Sequence, residues 1–136
     1  TGNMFFLYYL GTIVNKYYNS IEFFAVYFLS GLFGNLLSFW FTDYRSLGAS
    51  GAIMGLGGLV IYRMFFGKNA KIFRKSGNYF MFALLILFNL FYGVFAVEEN
   101  IDNYGHFGGF IGGFLLGILI SFLRSKKAVK DSSTSD

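Results

Sequence analysis

Cysteine is absent from the 136 residues, which excludes a disulfide scaffold, a thiolate zinc site and cysteine-based catalysis. Charge is scarce. Asp, Glu, Lys and Arg make up 13% of the chain, roughly half the share of about 25% that a water-soluble domain carries. Histidine occurs once, at position 106. No internal repeat of about 20 to 50 residues, no soluble linker and no cleavable signal peptide can be read from the chain. These residues imply no metal and no cofactor. What fills the chain instead is apolar: 55% hydrophobic residues, 23% aromatic, with 20 Phe, 10 Tyr and 18 Gly, at a mean hydropathy of +0.54. Lipid is the expected solvent. Thr1 stands where Met would, and an apolar run begins at once, so a fragment whose upstream part is missing is expected.

Uncharged runs of about 17 to 25 residues can cross a hydrocarbon layer roughly 30 Å thick, because each helical residue advances about 1.5 Å. Four such runs are plain: Phe23 to Thr42, Ser46 to Tyr62, Ser76 to Val97 and Asn103 to Leu123. A shorter one, Gly2 to Asn15, opens the chain. The expected fold is an all-α, polytopic transmembrane bundle of five helices, the first incomplete. Residues 1–124 form one membrane domain, and 125–136 are expected to be a disordered cytoplasmic tail.

A formal charge of +4 points to nucleic acid only where it forms a basic face, and here the cations sit in the connections. Lys16, then Lys68, Lys71, Arg74 and Lys75, then Arg124, Lys126, Lys127 and Lys130 mark alternate connections and the tail. The intervening connections hold Asp43 with Arg45, and Glu98, Glu99 and Asp102. The positive-inside rule assigns the basic connections and the C-terminus to the cytoplasm and the acidic or balanced ones to the outer face. Arg63, near the inner end of its helix, can snorkel inward.

Few residues suited to chemistry remain. Ser50 lies in Gly48-Ala49-Ser50-Gly51, at the outer end of the third helix, and His106 opens the fifth, also at its outer end. At about 100° per residue, Gly51, Gly55 and Gly58 fall on one stripe, and His106, Gly109, Gly113 and Gly117 on another. Small residues every fourth position let membrane helices approach closely. If the stripes face each other, the hydroxyl and the imidazole come within hydrogen-bond reach, nucleophile beside base. An attacked carbonyl also needs donors for its developing charge. The free N–H groups that begin the third helix, those of Ala49 and Ser50, and the side-chain amide of Asn3 are candidates. Each feature has a blander reading: a back-bonded packing serine, a structurally paired histidine, close packing alone, an interhelical amide.

The stretches Gly48 to Gly55 (GASGAIMG) and Asn100 to Gly109 (NIDNYGHFGG) resemble the two active-site motifs of the rhomboid intramembrane serine proteases, and Phe28 to Ser38 resembles the helix that precedes them. The resemblance runs from Asn3 to about Leu123. It implies that the five segments correspond to the second through sixth helices of a six-helix core of bacterial type, in the cell membrane, with the active site open to the outer face. It also implies Ser50 as nucleophile, His106 as general base without an Asp, and Asn3 as the Asn of an H-x-x-x-N oxyanion motif whose His would precede Thr1. On this reading the fragment by itself is inactive. Substrates would be transmembrane proteins, entering from the bilayer between Asn3 to Val14 and Asn78 to Val97 beneath the Glu98 to Asn103 loop. Two departures stand out. Met54 replaces the aromatic residue that often stacks on the histidine, and a sulfur-to-ring contact can substitute. Asn15 and Asn19 replace Glu and Gly. A non-catalytic client-binding protein of the same fold is the alternative. A transporter is disfavoured, because it would carry further intramembrane ionisable residues or paired repeats.

Overall fold

A computed structural model describes residues 2–41, 49–67, 70–75 and 103–134. These form five helices: α1 (Gly2–Tyr17), α2 (Ser20–Phe41), α3 (Ala49–Phe65), the short α4 (Ala70–Lys75) and α5 (Asn103–Thr134). No strand occurs among the described residues, and the fold is an all-α bundle. The run Ser76 to Val97, the Glu98 to Asp102 segment and Gly48 lie outside the described residues.

α3 is the hub. Gly51 to Tyr62 are buried except for half-buried Met54, as expected of a helix that is apolar on every side. Leu56, Leu59, Val60 and Met64 of α3 pack with Leu10, Ile13 and Val14 of α1 and Val26 of α2. α2 and α5 cover the remaining sides.

α2 is inverted with respect to a helix in water. Its buried residues are Val26, Ser30, Gly34 and Ser38, a stripe of small side chains at intervals of four. Its exposed residues include Phe24, Phe28, Leu32, Phe39 and Trp40. Large apolar groups outside and small ones inside is the arrangement lipid favours, since lipid tails solvate Phe and Leu as well as a protein core does and cohesion must come from close approach. Ser30 Oγ is back-bonded to the Val26 carbonyl, which satisfies its hydroxyl without a partner helix. α2 and α5 are both long and apolar enough to cross a membrane.

Contacts fix the directions. Tyr17 and Tyr18 at the end of α1 lie under the Arg63 guanidinium at the end of α3, at 4.5 and 5.6 Å from the ring centres, so α1 and α3 run parallel. Arg124 of α5 joins this end. It donates through Nη2 to Glu22 at 2.6 Å and to the Tyr17 carbonyl at 3.1 Å, and lies over the Tyr18 ring at 4.8 Å. Glu22 also completes a capping box at the start of α2. The Asn19 N–H donates to Glu22 Oε1 at 2.9 Å, and the Glu22 N–H donates to Asn19 Oδ1 at 2.8 Å, so two orphan donors of the first turn are satisfied reciprocally. Burial pushes the Tyr18 phenol above its ordinary value of 10.0, keeping the hydroxyl protonated at neutral pH.

α5 does not stop at Leu123. It runs on as helix through Thr134, whereas the sequence reading expects residues from 125 onward to be disordered. Lys126, Lys127, Ala128 and Lys130 are good helix formers, and the hydroxyls of Ser132 and Ser133 donate to the Val129 and Lys130 carbonyls at 2.9 and 2.8 Å.

Candidate active site

At the end of the bundle opposite Arg124, three helices meet through backbone. A Cβ placed on Gly51 would lie 3.3 Å from the Gly105 carbonyl oxygen. One on Gly109 would overlap the Gly51 carbonyl and sit 3.0 Å from its Cα. One turn deeper, a Cβ on Gly113 would strike the Gly55 carbonyl and lie 2.7 Å from its Cα, and one on Gly58 would strike the Phe110 carbonyl. The α3 and α5 stripes therefore face each other along their length. Gly117 continues the line against Tyr62 and Leu59. Only glycine permits this separation, since any side chain would part the two backbones.

α2 supplies the third wall. A Cβ on Gly34 would be 2.5 Å from the Gly105 oxygen and 3.2 Å from the Gly109 nitrogen, and one on Gly112 would be 3.3 Å from the Ser30 Cα. Ser30 Oγ fills the space that a Gly55 side chain would take. The sequence reading missed this part of the site. The signal was available, in the spacing of Ser30, Gly34 and Ser38, but it was hidden among bulky apolar neighbours.

Ser50 is the second residue of α3, and the glycine that follows it abuts the glycine that precedes His106. The Ser50 side chain lies outside the described residues, and so does that of Asn3. His106 is half-buried. Ala49 and Ser50 open α3, so their N–H groups are among the four that have no acceptor within the helix, and they lie at the positive end of its dipole. Asn3 lies in the first turn of α1. Counted back from the shared Tyr17–Arg63 contact, it is 14 residues away and Ser50 is 13, which at about 1.5 Å per residue puts both backbones at nearly the same level. Met54 is half-buried and packs against the apolar core. Phe41 at the end of α2 stacks on Tyr104 at the start of α5, with ring centres 5.4 Å apart, closing the rim beside His106. The described residues contain no group of three His, Cys, Asp or Glu placed to hold a metal ion.

The rhomboid domain family model matches residues 1–122. Among curated proteins, the chain is similar to the Rhomboid protease GluP of Bacillus subtilis strain 168, with 42% identity over 109 residues, 80% of this chain and 20% of that protein. It is also similar to RHOMBOID-like protein 4 of Arabidopsis thaliana, 34% identical over 110 residues, 79% of this chain and 27% of that one. Rhomboid-like protease 1 of Toxoplasma gondii is 31% identical over 116 residues, 80% of this chain and 38% of that one. The chain thus spans from a fifth to under two fifths of the length of these relatives. No solved structure matches it.

Proposed function

The chain belongs to the rhomboid family of intramembrane proteases, and from that membership we propose that it carries the catalytic pair of a serine endopeptidase that cleaves other membrane proteins in or near their transmembrane segments. It is an integral membrane protein. In the proposed reaction Ser50 Oγ attacks the scissile carbonyl carbon while the His106 imidazole takes the hydroxyl proton. The tetrahedral intermediate collapses with breakage of the C–N bond, and His106 returns the proton to the leaving amine. Water, deprotonated by His106, then hydrolyses the acyl ester and restores Ser50. The N–H groups of Ala49 and Ser50 and the Asn3 amide would stabilise the oxyanion, where losing one donor typically costs on the order of 100- to 1,000-fold in rate.

The observation that carries this reading is the contact between Gly51 and Gly105, the chain neighbours of Ser50 and His106. Two backbones touching at that point allow a short hydroxyl side chain and an imidazole to reach each other. Hydrolysis needs water, and the start of a membrane helix is where water can arrive. The basic residues of the opposite end favour a cytoplasmic C-terminus and a site that opens to the outer face, and the apolar helices favour several crossings of the cell membrane.

The test is a fluorophosphonate probe and a transmembrane substrate presented to the full-length protein. Ser50→Ala is expected to abolish labelling and cleavage while leaving the folded fraction unchanged, because one small residue replaces another. His106→Ala is expected to abolish labelling of Ser50. Turnover that persists in Ser50→Ala overturns the nucleophile assignment. A client that binds yet stays whole with the unsubstituted protein favours the non-catalytic alternative.

A further inference from the structure

α5 turns two rows of residues toward the bundle. Gly109 and Gly113 meet Gly51 and Gly55 of α3, Gly117 meets Tyr62 and Leu59, and His106 opens this row by helical spacing. A second row, Tyr104, Gly108 and Gly112, runs at intervals of four. Gly108 meets Gly34 and Leu37 of α2, and Gly112 meets Ser30 and Phe33. At the head of the row the Tyr104 ring lies on the Phe41 ring, centres 5.4 Å apart and planes 17° from parallel. Of the three residues in this row, Tyr104 alone carries a side chain.

Glycine contacts set how close two helices come, but a smooth backbone surface leaves rotation and sliding free. Side chains set into a neighbour are what fix one helix's rotation against another. The question matters at His106, which stands in the first turn of α5. A first turn holds N–H groups with no acceptor inside the helix, and helix ends open more easily than helix centres. If that turn twists, the imidazole moves along an arc while the backbone contact at Gly105 persists. Two residues at about 100° each place Tyr104 about 200° from His106 around the axis, so the stack grips the side of the turn opposite the imidazole. Leu37 against Gly108 gives a second hold one turn deeper.

We propose that the Phe41–Tyr104 stack is a positioning device: it fixes the rotation of the first turn of α5 against α2 and so aims His106 at Ser50. This rests on the reading of Ser50 and His106 as nucleophile and base. Phe41 and Tyr104 act through His106 and touch no reacting atom. Offset stacking suits the task, because two flat rings in contact resist twisting about the helix axis as well as separation. Phe41 is 62% and Tyr104 49% exposed, so replacing either ring opens no cavity in the core, and the fold survives the test.

The rate at which a small fluorophosphonate labels Ser50 in the full-length protein reads the aim of His106 without any need to bind a transmembrane substrate. Tyr104→Leu and Phe41→Leu keep an apolar side chain and lose the ring, and each is expected to slow labelling about tenfold, in line with the cost of small misplacements. The double variant is expected to match either single within about twofold, because all three remove the same contact. Tyr104→Phe keeps the ring and is expected to restore labelling to within about twofold of the parent. Trp40→Leu removes an exposed aromatic of the same rim outside the pair, and is expected to change the rate by less than about twofold. With a transmembrane substrate, kcat should fall by the same factor while KM holds. Hydrogen exchange at the Phe107 and Gly108 amides, the first with acceptors inside the helix, should quicken about tenfold in Tyr104→Leu. Labelling at the parent rate in Tyr104→Leu overturns the proposal. So does an equal slowing by Trp40→Leu, which would mean general anchoring at the interface, or a double variant whose losses multiply. If the unsubstituted protein takes no label, the serine-protease reading fails, and the exchange rates still decide whether the stack holds the turn: unchanged exchange in Tyr104→Leu overturns it.

Discussion

The two ends of the bundle are joined by opposite means. Near His106, α2, α3 and α5 touch through glycine backbone, with Gly109 against the Gly51 carbonyl and Gly113 against the Gly55 carbonyl. Near Arg124 long side chains make the bridges, Arg124 joining α5 to Glu22 of α2 at 2.6 Å and Arg63 of α3 lying over Tyr17 of α1 at 4.5 Å. A backbone contact has no rotamers and holds its distance to within a few tenths of an ångström. An arginine bridge can lengthen, swing or exchange partners. The end proposed to bring Ser50 and His106 together is built rigidly, and the end that gathers the arginines is built adaptably.

The largest way to break this contrast is Gly113→Ala. The new Cβ would meet the Gly55 carbonyl and Cα, which are backbone and cannot rotate away, so α3 and α5 must part. Overpacking of this kind costs about 1 to 3 kcal/mol, and we expect the upper part of that range with cleavage lost. Unfolding in mixed micelles titrated with dodecyl sulfate, read beside a cleavage assay, checks both. Gly51→Ala is milder, with 3.3 Å to the Gly105 oxygen. It should leave the unfolding midpoint within about 1 kcal/mol of the parent and yet lower turnover by about tenfold, since small misplacements of reacting groups are costly. A Gly51→Ala protein that is destabilised but fully active would sink the idea that this contact aligns the pair.

At the other end the effects should be smaller. Asn19→Ala removes the capping-box acceptor of the Glu22 N–H and should cost about 1 kcal/mol, with turnover of the folded protein unaltered. Glu22→Gln keeps an oxygen for the Asn19 N–H but removes the charge that faces Arg124. The arginine is 44% exposed, so the expected loss is under about 1 kcal/mol and shrinks with added salt. If Glu22→Gln proved as damaging as Gly113→Ala, the rigid and adaptable ends would have been assigned the wrong way round.

Hydropathy made α2, α3 and α5 legible as helices, and glycine spacing made the faces by which α3 and α5 meet legible before any coordinates. Their boundaries were less so, because hydropathy treats charge as an end and backbone hydrogen bonding does not. Glu22 sits inside the first turn of α2 because it completes a cap, and Arg63 sits inside α3 because two tyrosine rings receive it. Lysines that end an apolar run continue a helix readily, which is why α5 extends to Thr134. The Ser30, Gly34 and Ser38 stripe does not show in hydrophobic periodicity, because in this helix the buried face is the less hydrophobic one. The Arg124–Glu22 bridge joins residues 102 positions apart, and no local pattern announces such a pair. For Ser50, His106 and Asn3 the motifs suggest positions and proposed roles and the topology suggests a common depth, and the parallel course of α1 and α3 puts the Asn3 and Ser50 backbones at nearly the same level.

The inverted face of α2 has a consequence for anyone wishing to handle the protein outside a bilayer. Surface redesign, exchanging Phe24, Phe28, Leu32, Phe39 and Trp40 for charged residues, would make the exterior compatible with water. It would also strip α2 of the solvent that makes its small inward stripe sufficient. In water, association is driven mainly by removing apolar area from solvent, and a stripe of Val26, Ser30, Gly34 and Ser38 offers little. Such a redesign should shed α2 while the other helices stay together, unless its inner stripe is enlarged at the same time, and enlarging it would push apart the glycine seam that it covers.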